Sequence, residues 1–499
     1  MVCRPVRLRG RSSTSSDPPA TAGGHVIHLG RGALTMNAAT TSFMRASDTF
    51  AWHQEDDPVM RATIVGVLWL DRRPDWDLLR RRLGDAVERI PRLRQRIVET
   101  PVPLTPPRWV LDPDFDLSWH LRRVDAPGEH TPEDVLELAR VEAMSAFDLS
   151  RPLWQFTLVE HVQGGTAALI MKLHHALTDG KGATVLASAF LDDRRTPAPR
   201  AARPAATEQA ATEQADDASL LPSVLAFHWN NAMDAFASGL RGVGPLAVGL
   251  VRDPLGAVRS GVRTARSIGR TVAPVVETMS PVMRGRGRGR ALRVVTVDLA
   301  DLRAAAACAQ ATVNDAFLTA VTGGLRRYHA RHDSTVEAAR VTMPVSIRVP
   351  TDPPASNRIT LLRLTVPVAQ PGTFLRLRQI HQICARARTA RSLPFTDLLA
   401  GGLGLLPVAV TGGMLKHVDI LASDVTGVPG TVYLAGAKVT AMAAFGPTLG
   451  CAVNITLLSH KGRCHVGLNL DTAAVPDPDV FTACLAEGFD EVVALTEAG

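Results

Sequence analysis

Apolar positions along this chain alternate between the two-residue period of a β-strand and the 3.6-residue period of an α-helix. Between 43 and 190 the pattern predicts strands at 62–70, 155–160 and 167–173 and helices at 75–89, 131–145 and 183–191. From 291 onwards it predicts strands at 293–299, 341–345, 361–368, 418–422, 439–445, 451–459 and 464–470, and helices at 313–329, 373–393 and 478–495. This pattern is typical of an α/β fold, and two such halves leave a cleft between them.

The same changes of pattern divide the chain into four regions. Residues 1–41 form a polar, basic arm without the apolar core of a signal peptide, and Met36 is an alternative start. We assign 42–191 to an N-terminal subdomain, 192–290 to a connector and 291–499 to a C-terminal subdomain.

The connector combines three kinds of composition. Residues 192–219 are rich in Pro, Ala and charge, which indicates low order. Residues 220–275 are predicted to be helical, and one helical face carries four arginines, Arg259, Arg263, Arg266 and Arg270. That face could dock on anionic lipid, or it could be the solvent-exposed side of a packed helix, and both interpretations stay open. Alternating Arg and Gly at 284–290 indicates a flexible basic link.

The amino-acid composition limits the possible binding partners more than it limits the fold. The net charge of +7 suits an anionic partner such as a membrane surface or a nucleotide-bearing substrate, although a coding bias towards Arg would also produce it. Aromatic residues make up only 5%, too few for stacking on single-stranded nucleic acid, so no nucleic-acid partner is expected. Six scattered cysteines indicate a reduced, cytosolic chain without disulfides or a zinc site. We expect no metal and no cofactor, because the sequence has neither a phosphate-binding nor a dinucleotide-binding motif.

The strongest candidate for chemistry is His174-His175-Ala176-Leu177-Thr178-Asp179-Gly180, directly after the predicted strand 167–173. Histidine has the ordinary pKa closest to neutrality and is the usual acceptor for the proton of a hydroxyl or amine nucleophile. A strand end followed by a turn can present one imidazole in a cleft. A single histidine is otherwise most often a core residue, and it is the seven-residue context that favours catalysis.

This motif resembles the HHxxxDG signature of condensing acyltransferases with the chloramphenicol-acetyltransferase-like fold. Further landmarks, in the same order along the chain, resemble the bacterial wax ester synthase/acyl-CoA:diacylglycerol acyltransferase family. They are Glu55, Pro152-Leu153-Trp154, Asn314-Asp315, Pro344-Val345-Ser346-Ile347-Arg348, Asn357-Arg358 and Tyr433-Leu434-Ala435-Gly436-Ala437. The resemblance covers about 42–490. One segment departs from it: Ser423-Asp424-Val425-Thr426-Gly427-Val428 has Asp in place of the family's Asn and lacks its prolines, which puts the shape of that loop in doubt.

The resemblance implies two chloramphenicol-acetyltransferase-like subdomains around a central cleft or tunnel. It implies transfer of a long-chain acyl group from acyl-CoA, a co-substrate, to diacylglycerol or a fatty alcohol. A cytoplasmic enzyme bound peripherally to the membrane or to lipid droplets is expected, because no apolar run is long and unbroken enough to span a bilayer. Two alternatives stay open: amide-forming condensation, and a catalytically weak lipid-binding homologue.

The resemblance also suggests roles for individual residues. His175 is expected to be the general base, while His174 is either catalytic or structural. Asp179 is expected to fix the motif's turn by pairing with Arg348, and Gly180 to permit that turn. Asn314 either stabilises an oxyanion or caps a helix. The remaining candidates are Ser423 as a substrate contact and Trp154 and Asp315 as structural support.

Overall fold

The computed structural model describes residues 43–99, 105–178, 180–196, 277–346, 359–388 and 416–497. Its N-terminal elements are α1 (Ala46–His53), β1 (Thr63–Leu70), α2 (Trp76–Arg89), β2 (Gln95–Val98), β3 (Arg108–Leu111), α3 (Leu117–His120), β4 (Leu121–Asp125), α4 (Pro132–Met144), β5 (Trp154–Val162), β6 (Thr166–His174) and α5 (Gly180–Phe190). The later elements are β7 (Arg290–Asp298), α6 (Leu299–Cys308), α7 (Val313–Arg331), β8 (Ala338–Ser346), β9 (Ile359–Pro367), α8 (Thr373–Arg388), β10 (Ile420–Thr426), β11 (Tyr433–Leu434), β12 (Ala437–Phe445), β13 (Val453–His460), β14 (Arg463–Asp471) and α9 (Pro478–Val493).

Helix starts follow the side-chain chemistry of the sequence. Asp75 accepts a hydrogen bond from the backbone N–H of Leu78 at the start of α2. Thr131 and Thr312 each form a reciprocal capping box with the aspartate three residues later, at the starts of α4 and α7. Because these side chains satisfy N–H groups that the helix itself leaves unpaired, they fix where each helix begins.

Two six-stranded sheets form the framework. The N-terminal sheet has the order β11-β12-β1-β6-β5-β4, and the C-terminal sheet has the order β7-β14-β13-β10-β8-β9. β11 and β12 come from the region that we assigned to the C-terminal subdomain, yet β12 pairs antiparallel with β1. The sequence boundary at 291 is therefore not a boundary between sheets. An apolar strand pattern does not reveal which sheet a strand joins, because only long-range pairing decides it.

The two sheets meet through close packing of their backbones. β12 lies against β14, where a β-carbon at Gly467 would come within 2.1 Å of the carbonyl oxygen of Ala444. Buried residues from both halves, including Val65, Leu292 and Phe445, share one apolar cluster beside this contact. The halves therefore form a continuous interior across their junction.

The link at 284–290 is not the flexible connector that its composition indicates. The Arg286 guanidinium donates hydrogen bonds to the carbonyl oxygens of Lys416, Gly450 and Val418, at 2.6–3.1 Å. Arg290 is buried and lies 3.4 Å from Asp471. We call residues 277–290 the strap, since each of these arginines fastens it to the C-terminal half. Arginine can do so because its planar group offers five donors to converging carbonyls.

Asp192, the first residue of the predicted connector, is buried in the N-terminal half. Its carboxylate lies 3.1 Å from the side chain of Arg82, and its backbone pairs with Tyr433. The N-terminal half therefore extends at least to this residue. Three predicted regions lie outside the described residues: the part beyond 196 of the stretch predicted to have low order, the predicted helical segment 220–275 and the arm 1–41.

Candidate active site at the paired histidines

His174 ends β6 and is fully buried. Its Nδ1 accepts a hydrogen bond from the backbone N–H of Ala176 at 3.0 Å, and its Nε2 lies 3.0 Å from Glu55 Oε1. Because Nδ1 accepts, the ring proton of the neutral imidazole is assigned to Nε2, which donates it to Glu55. Both nitrogens are therefore occupied within the protein, and this geometry supports the structural role for His174.

Glu55 lies in the loop between α1 and β1 and is buried with His174. Its Oε1 also accepts the backbone N–H of Ala62 at 2.9 Å, and its Oε2 lies 4.0 Å from Arg61. Burial alone raises the pKa of this carboxyl, but the hydrogen bonds from His174 and Ala62 and the charge of Arg61 outweigh it and leave the pKa below its ordinary value. Glu55 is thus a carboxylate. Only the family resemblance identified it, since no local pattern links it to a residue so far along the chain.

His175 follows the last residue of β6 and is half-buried. Its backbone N–H donates to the carbonyl oxygen of Ala62 at 2.9 Å. Successive side chains of an extended strand point to opposite faces, so the buried position of His174 directs His175 away from it. The main chain of the turn is therefore anchored, and the residue as a whole is only half-buried, which suits a general base that must reach a substrate.

A buried lysine lies on the same strand, two residues before His174. Lys172 is 2% exposed; its Nζ lies 3.4 Å from Glu142 and 4.6 Å from the ring centre of Phe147. Burial lowers the pKa of Lys172, opposed mainly by the charge of Glu142. The edge of Phe147 also contacts the ring of His174, with centroids 5.9 Å apart. A lone cationic residue within the apolar strand 167–173 is the sequence signal that could have located Lys172.

Trp154 is buried in the core of the N-terminal half. Its Nε1 donates to the carbonyl oxygen of Leu93 at 2.8 Å, and its ring stacks on His120 with centroids 4.5 Å apart. Trp154 and Lys172 also line an open cleft of about 310 Å³, together with Trp119, Arg122, Phe147 and Gln155.

Asp315 and Asn314 lie at the start of α7. The buried Asp315 carboxylate accepts the backbone N–H of Thr312 at 2.9 Å and contacts His381 Nδ1 at 2.8 Å. Burial raises the pKa of this carboxyl, but these contacts outweigh it and hold the pKa below its ordinary value. These contacts anchor the start of α7 and join it to α8. Asn314 is the half-buried second residue of the helix.

Ser423 lies within a strand, so the expectation of a loop there is wrong up to Thr426. β10 runs over Ile420–Thr426, and Ser423 pairs in register with Thr456 of the parallel neighbour β13. The Thr184 hydroxyl of α5, the helix that follows the histidine motif, donates to the carbonyl oxygen of Thr426 at 3.3 Å. The structure thereby brings the end of the departing segment to the helix that follows the histidine motif.

Three further sequence candidates lie outside the described ranges or at the edge of one. Asp179 and Arg348 lie outside the described residues, so their pairing stays a prediction. Gly180 is the first residue of α5. In the described ranges, no cluster of His, Cys, Asp or Glu could hold a metal ion, and no helix has the length and apolarity to cross a bilayer.

Solved structures define the class of this fold. A wax ester synthase/diacylglycerol acyltransferase from Marinobacter aquaeolei VT8 matches with a TM-score of 0.59 at 19% identity, over 91% of this chain and 100% of that one. The starter condensation domain of rhizomide synthetase matches with a TM-score of 0.55 at 13% identity, over 93% of this chain and 97% of that one. The predicted chloramphenicol-acetyltransferase-like α/β fold is confirmed.

Sequence comparison then identifies the family. Residues 44–317 match the wax ester synthase/diacylglycerol acyltransferase catalytic domain, and residues 355–492 match the C-terminal domain of the same family. A Mycobacterium tuberculosis protein named as a diacylglycerol O-acyltransferase is 34% identical over 88% of this chain and 89% of its own length. Another protein of that organism with the same enzyme name is 27% identical over 87% of this chain and 93% of its own. The chain belongs to the wax ester synthase/diacylglycerol acyltransferase family, which confirms the predicted enzyme class.

Proposed function

We propose that this protein transfers a long-chain acyl group from acyl-CoA to the hydroxyl of diacylglycerol or a fatty alcohol, with His175 as general base. The observation that carries the proposal is the difference in burial between the paired histidines: His174 is fully buried against Glu55 and Ala176, while His175 is half-buried on a turn whose main chain is anchored to Ala62. Family membership supports the acyl-transfer chemistry.

In the proposed reaction, a nitrogen of His175 takes the proton of the acceptor hydroxyl as the oxygen attacks the thioester carbonyl carbon. The tetrahedral intermediate then collapses, the C–S bond breaks, and the imidazolium returns the proton to the leaving thiolate. The ester forms without a covalent enzyme intermediate, and no cofactor is consumed. A positioned base of this kind accelerates a reaction by about 10²–10⁴-fold.

We also propose that the enzyme works at the surface of a membrane or lipid droplet on the cytoplasmic side. Diacylglycerol and long-chain alcohols reside in such surfaces, and the net charge of +7 favours an anionic one. Co-sedimentation with vesicles of neutral and of anionic lipid tests this directly. Protein that stays in the supernatant with both kinds of vesicle would contradict the proposal.

The activity is tested by thiol release from palmitoyl-CoA by the purified full-length chain, with diacylglycerol, hexadecanol or a long-chain amine as acceptor. We expect release that depends on one of the alcohols and that falls by at least about 10²-fold in His175→Ala.

Circular dichroism and thermal unfolding show whether the variant keeps its fold. Release that depends only on the amine would favour condensation to an amide. Folded protein that binds vesicles yet releases no thiol with any acceptor would leave only the lipid-binding alternative.

A further inference from the structure

One short loop contacts both histidines, the side chain of His174 and the main chain of His175. Residues 54–62, which we call the clasp loop, connect α1 to β1. The Glu55 carboxylate accepts from the ring of His174 at 3.0 Å, and the Ala62 carbonyl accepts from the backbone of His175 at 2.9 Å. Any displacement of this loop therefore moves the turn that carries the proposed base.

The clasp loop is fastened to the C-terminal half. Asp57 Oδ2 accepts a hydrogen bond from Lys416 Nζ at 2.6 Å, while its Oδ1 accepts the backbone N–H of Val59 at 3.0 Å. Beside this ion pair, the backbone of Gly450 approaches the buried Met60 so closely that a β-carbon there would lie 2.9 Å from the Met60 sulfur. One carboxylate thus shapes the loop internally and attaches it to the other half.

Lys416 is itself held by the strap. Arg286 Nε donates to the carbonyl oxygens of Lys416 and Gly450, at 2.9 and 2.6 Å. The main chain on the far side of the ion pair is therefore fixed by hydrogen bonds of its own. A continuous set of contacts runs from the strap through Lys416 and Asp57 to the histidine turn.

We propose that Asp57 and Lys416 are positioning residues, whose ion pair sets the placement of His175 relative to the C-terminal half. This inference rests on the proposed role of His175. Side-chain exposures of 27% for Asp57 and 37% for Lys416 make the pair a minor contributor to folding. Its effect on rate is larger, because a catalytic group misplaced by 1 Å can cost about 10²-fold.

The chain offers a matched control at the other end of β1. Asp71 pairs with Arg195 at the same distance of 2.6 Å, with side-chain exposures of 23% and 37%. Asp71 also accepts a backbone N–H, that of Lys438, at 2.7 Å. Asp71→Asn therefore removes the same kind of ion pair, and keeps the same kind of backbone hydrogen bond, away from the histidine turn.

The test compares Asp57→Asn, Lys416→Met, their double variant and Lys416→Arg with Asp71→Asn. We expect kcat to fall about tenfold in each neutralised single variant, with KM for palmitoyl-CoA unchanged and no further loss in the double variant. Lys416→Arg and Asp71→Asn keep the kcat of the unaltered chain. Thermal midpoints shift by less than about 2 °C throughout.

Hydrogen exchange of peptides covering 173–178, measured by mass spectrometry, gives a readout that does not need activity. The amides of His175 and Ala176 should exchange about tenfold faster in Asp57→Asn and Lys416→Met than in Asp71→Asn or the unaltered chain. Unchanged exchange would overturn the positioning role even if the unaltered enzyme is active. If the unaltered chain shows no acyl transfer but exchange is still faster in Asp57→Asn and Lys416→Met, the proposed function is overturned and the mechanical link stands.

Discussion

At the scale of single residues, the end of β6 gives two adjacent histidines opposite environments. The side-chain alternation of a strand places His174 among buried groups, where Glu55 and the backbone of Ala176 occupy its nitrogens. His175, the next residue, is half-buried, and its backbone N–H is anchored to the carbonyl oxygen of Ala62. One residue supplies rigidity and the next supplies the proposed chemistry.

Substitution of Glu55 separates its role as hydrogen-bond acceptor from its charge. In Glu55→Ala, the ring of His174 and the backbone N–H of Ala62 lose their acceptor, so we expect a loss of roughly 2–4 kcal/mol in the free energy of unfolding. Glu55→Gln keeps an oxygen at the same place and should lose less than about 1 kcal/mol. Urea denaturation measures both.

Glu99→Ala is the control, since Glu99 accepts one hydrogen bond, from Trp52 Nε1 at 2.7 Å, and is exposed. Thiol release should fall in the same order as the free energy of unfolding, with the lowest release in Glu55→Ala. Equal effects of Ala and Gln at position 55 would show that the charge, rather than the acceptor, holds His174.

The sequence could predict the histidine motif because its residues are contiguous. It could not predict the contact between Glu55 and His174 from any local pattern, because 119 positions separate them and only the pairing of β1 with β6 brings them together. The expectation of a loop at Ser423 is wrong for a related reason: the segment forms a strand because it pairs with β13, which lies further along the chain.

At the scale of elements, three helices of the C-terminal half are joined by one carboxylate. Glu491 on α9 accepts hydrogen bonds from the fully buried Arg376 on α8 at 2.8 Å, from Arg327 on α7, and from Thr373. Burial raises the pKa of Glu491, but these donors outweigh it and lower the pKa to about 2. The carboxylate form is therefore favoured in the folded protein.

Acid should remove this stabilisation over a defined range. Because the folded pKa lies below the ordinary value of 4.5, the contribution is complete above that pH and is lost as the pH falls towards about 2. We expect Glu491→Gln to be less stable than the unaltered chain at pH 7 by on the order of 2 kcal/mol, after allowance for solvent screening.

Urea denaturation at several pH values checks this expectation. The difference between the two proteins should shrink below pH 4.5, because protonated Glu491 then resembles Gln. Exposed Asp479 on the same helix, paired with Arg293, is the control position, and Asp479→Asn should show little difference at any pH. A gap for Glu491→Gln that stays constant down to pH 3 would contradict the assignment.

Sequence patterns located most elements well, including α2, α4 and α7. They failed for the strap, whose Arg and Gly composition is typical of a flexible link. Its order depends on carbonyl oxygens at Lys416, Val418 and Gly450 that only the folded sheet presents to Arg286.

At the scale of the whole molecule, the close packing of the two sheets requires glycine at position 467. Gly467→Ala would place a methyl group 2.1 Å from the carbonyl oxygen of Ala444, so β14 and β12 must separate. We expect a loss of roughly 1–3 kcal/mol in the free energy of unfolding, with lower acyl transfer.

Gly84 provides a comparison of opposite sign. It lies within α2, and nothing lies within 4 Å of the position of its added β-carbon, so Gly84→Ala should stabilise the chain by about 0.5–1 kcal/mol. Thermal and urea unfolding measure both variants. Tolerance of Gly467→Ala would mean that the two sheets can move apart at little cost.

The pairing of β12 with β1 also constrains how the protein is made. About 370 residues separate the end of β1 from the start of β12, which at 5–20 residues per second is roughly 20–70 s of translation. Throughout that interval the β1 edge of the N-terminal sheet exposes unpaired backbone groups, the kind of edge that recruits other chains. The N-terminal sheet therefore cannot finish folding until β12 has emerged from the ribosome.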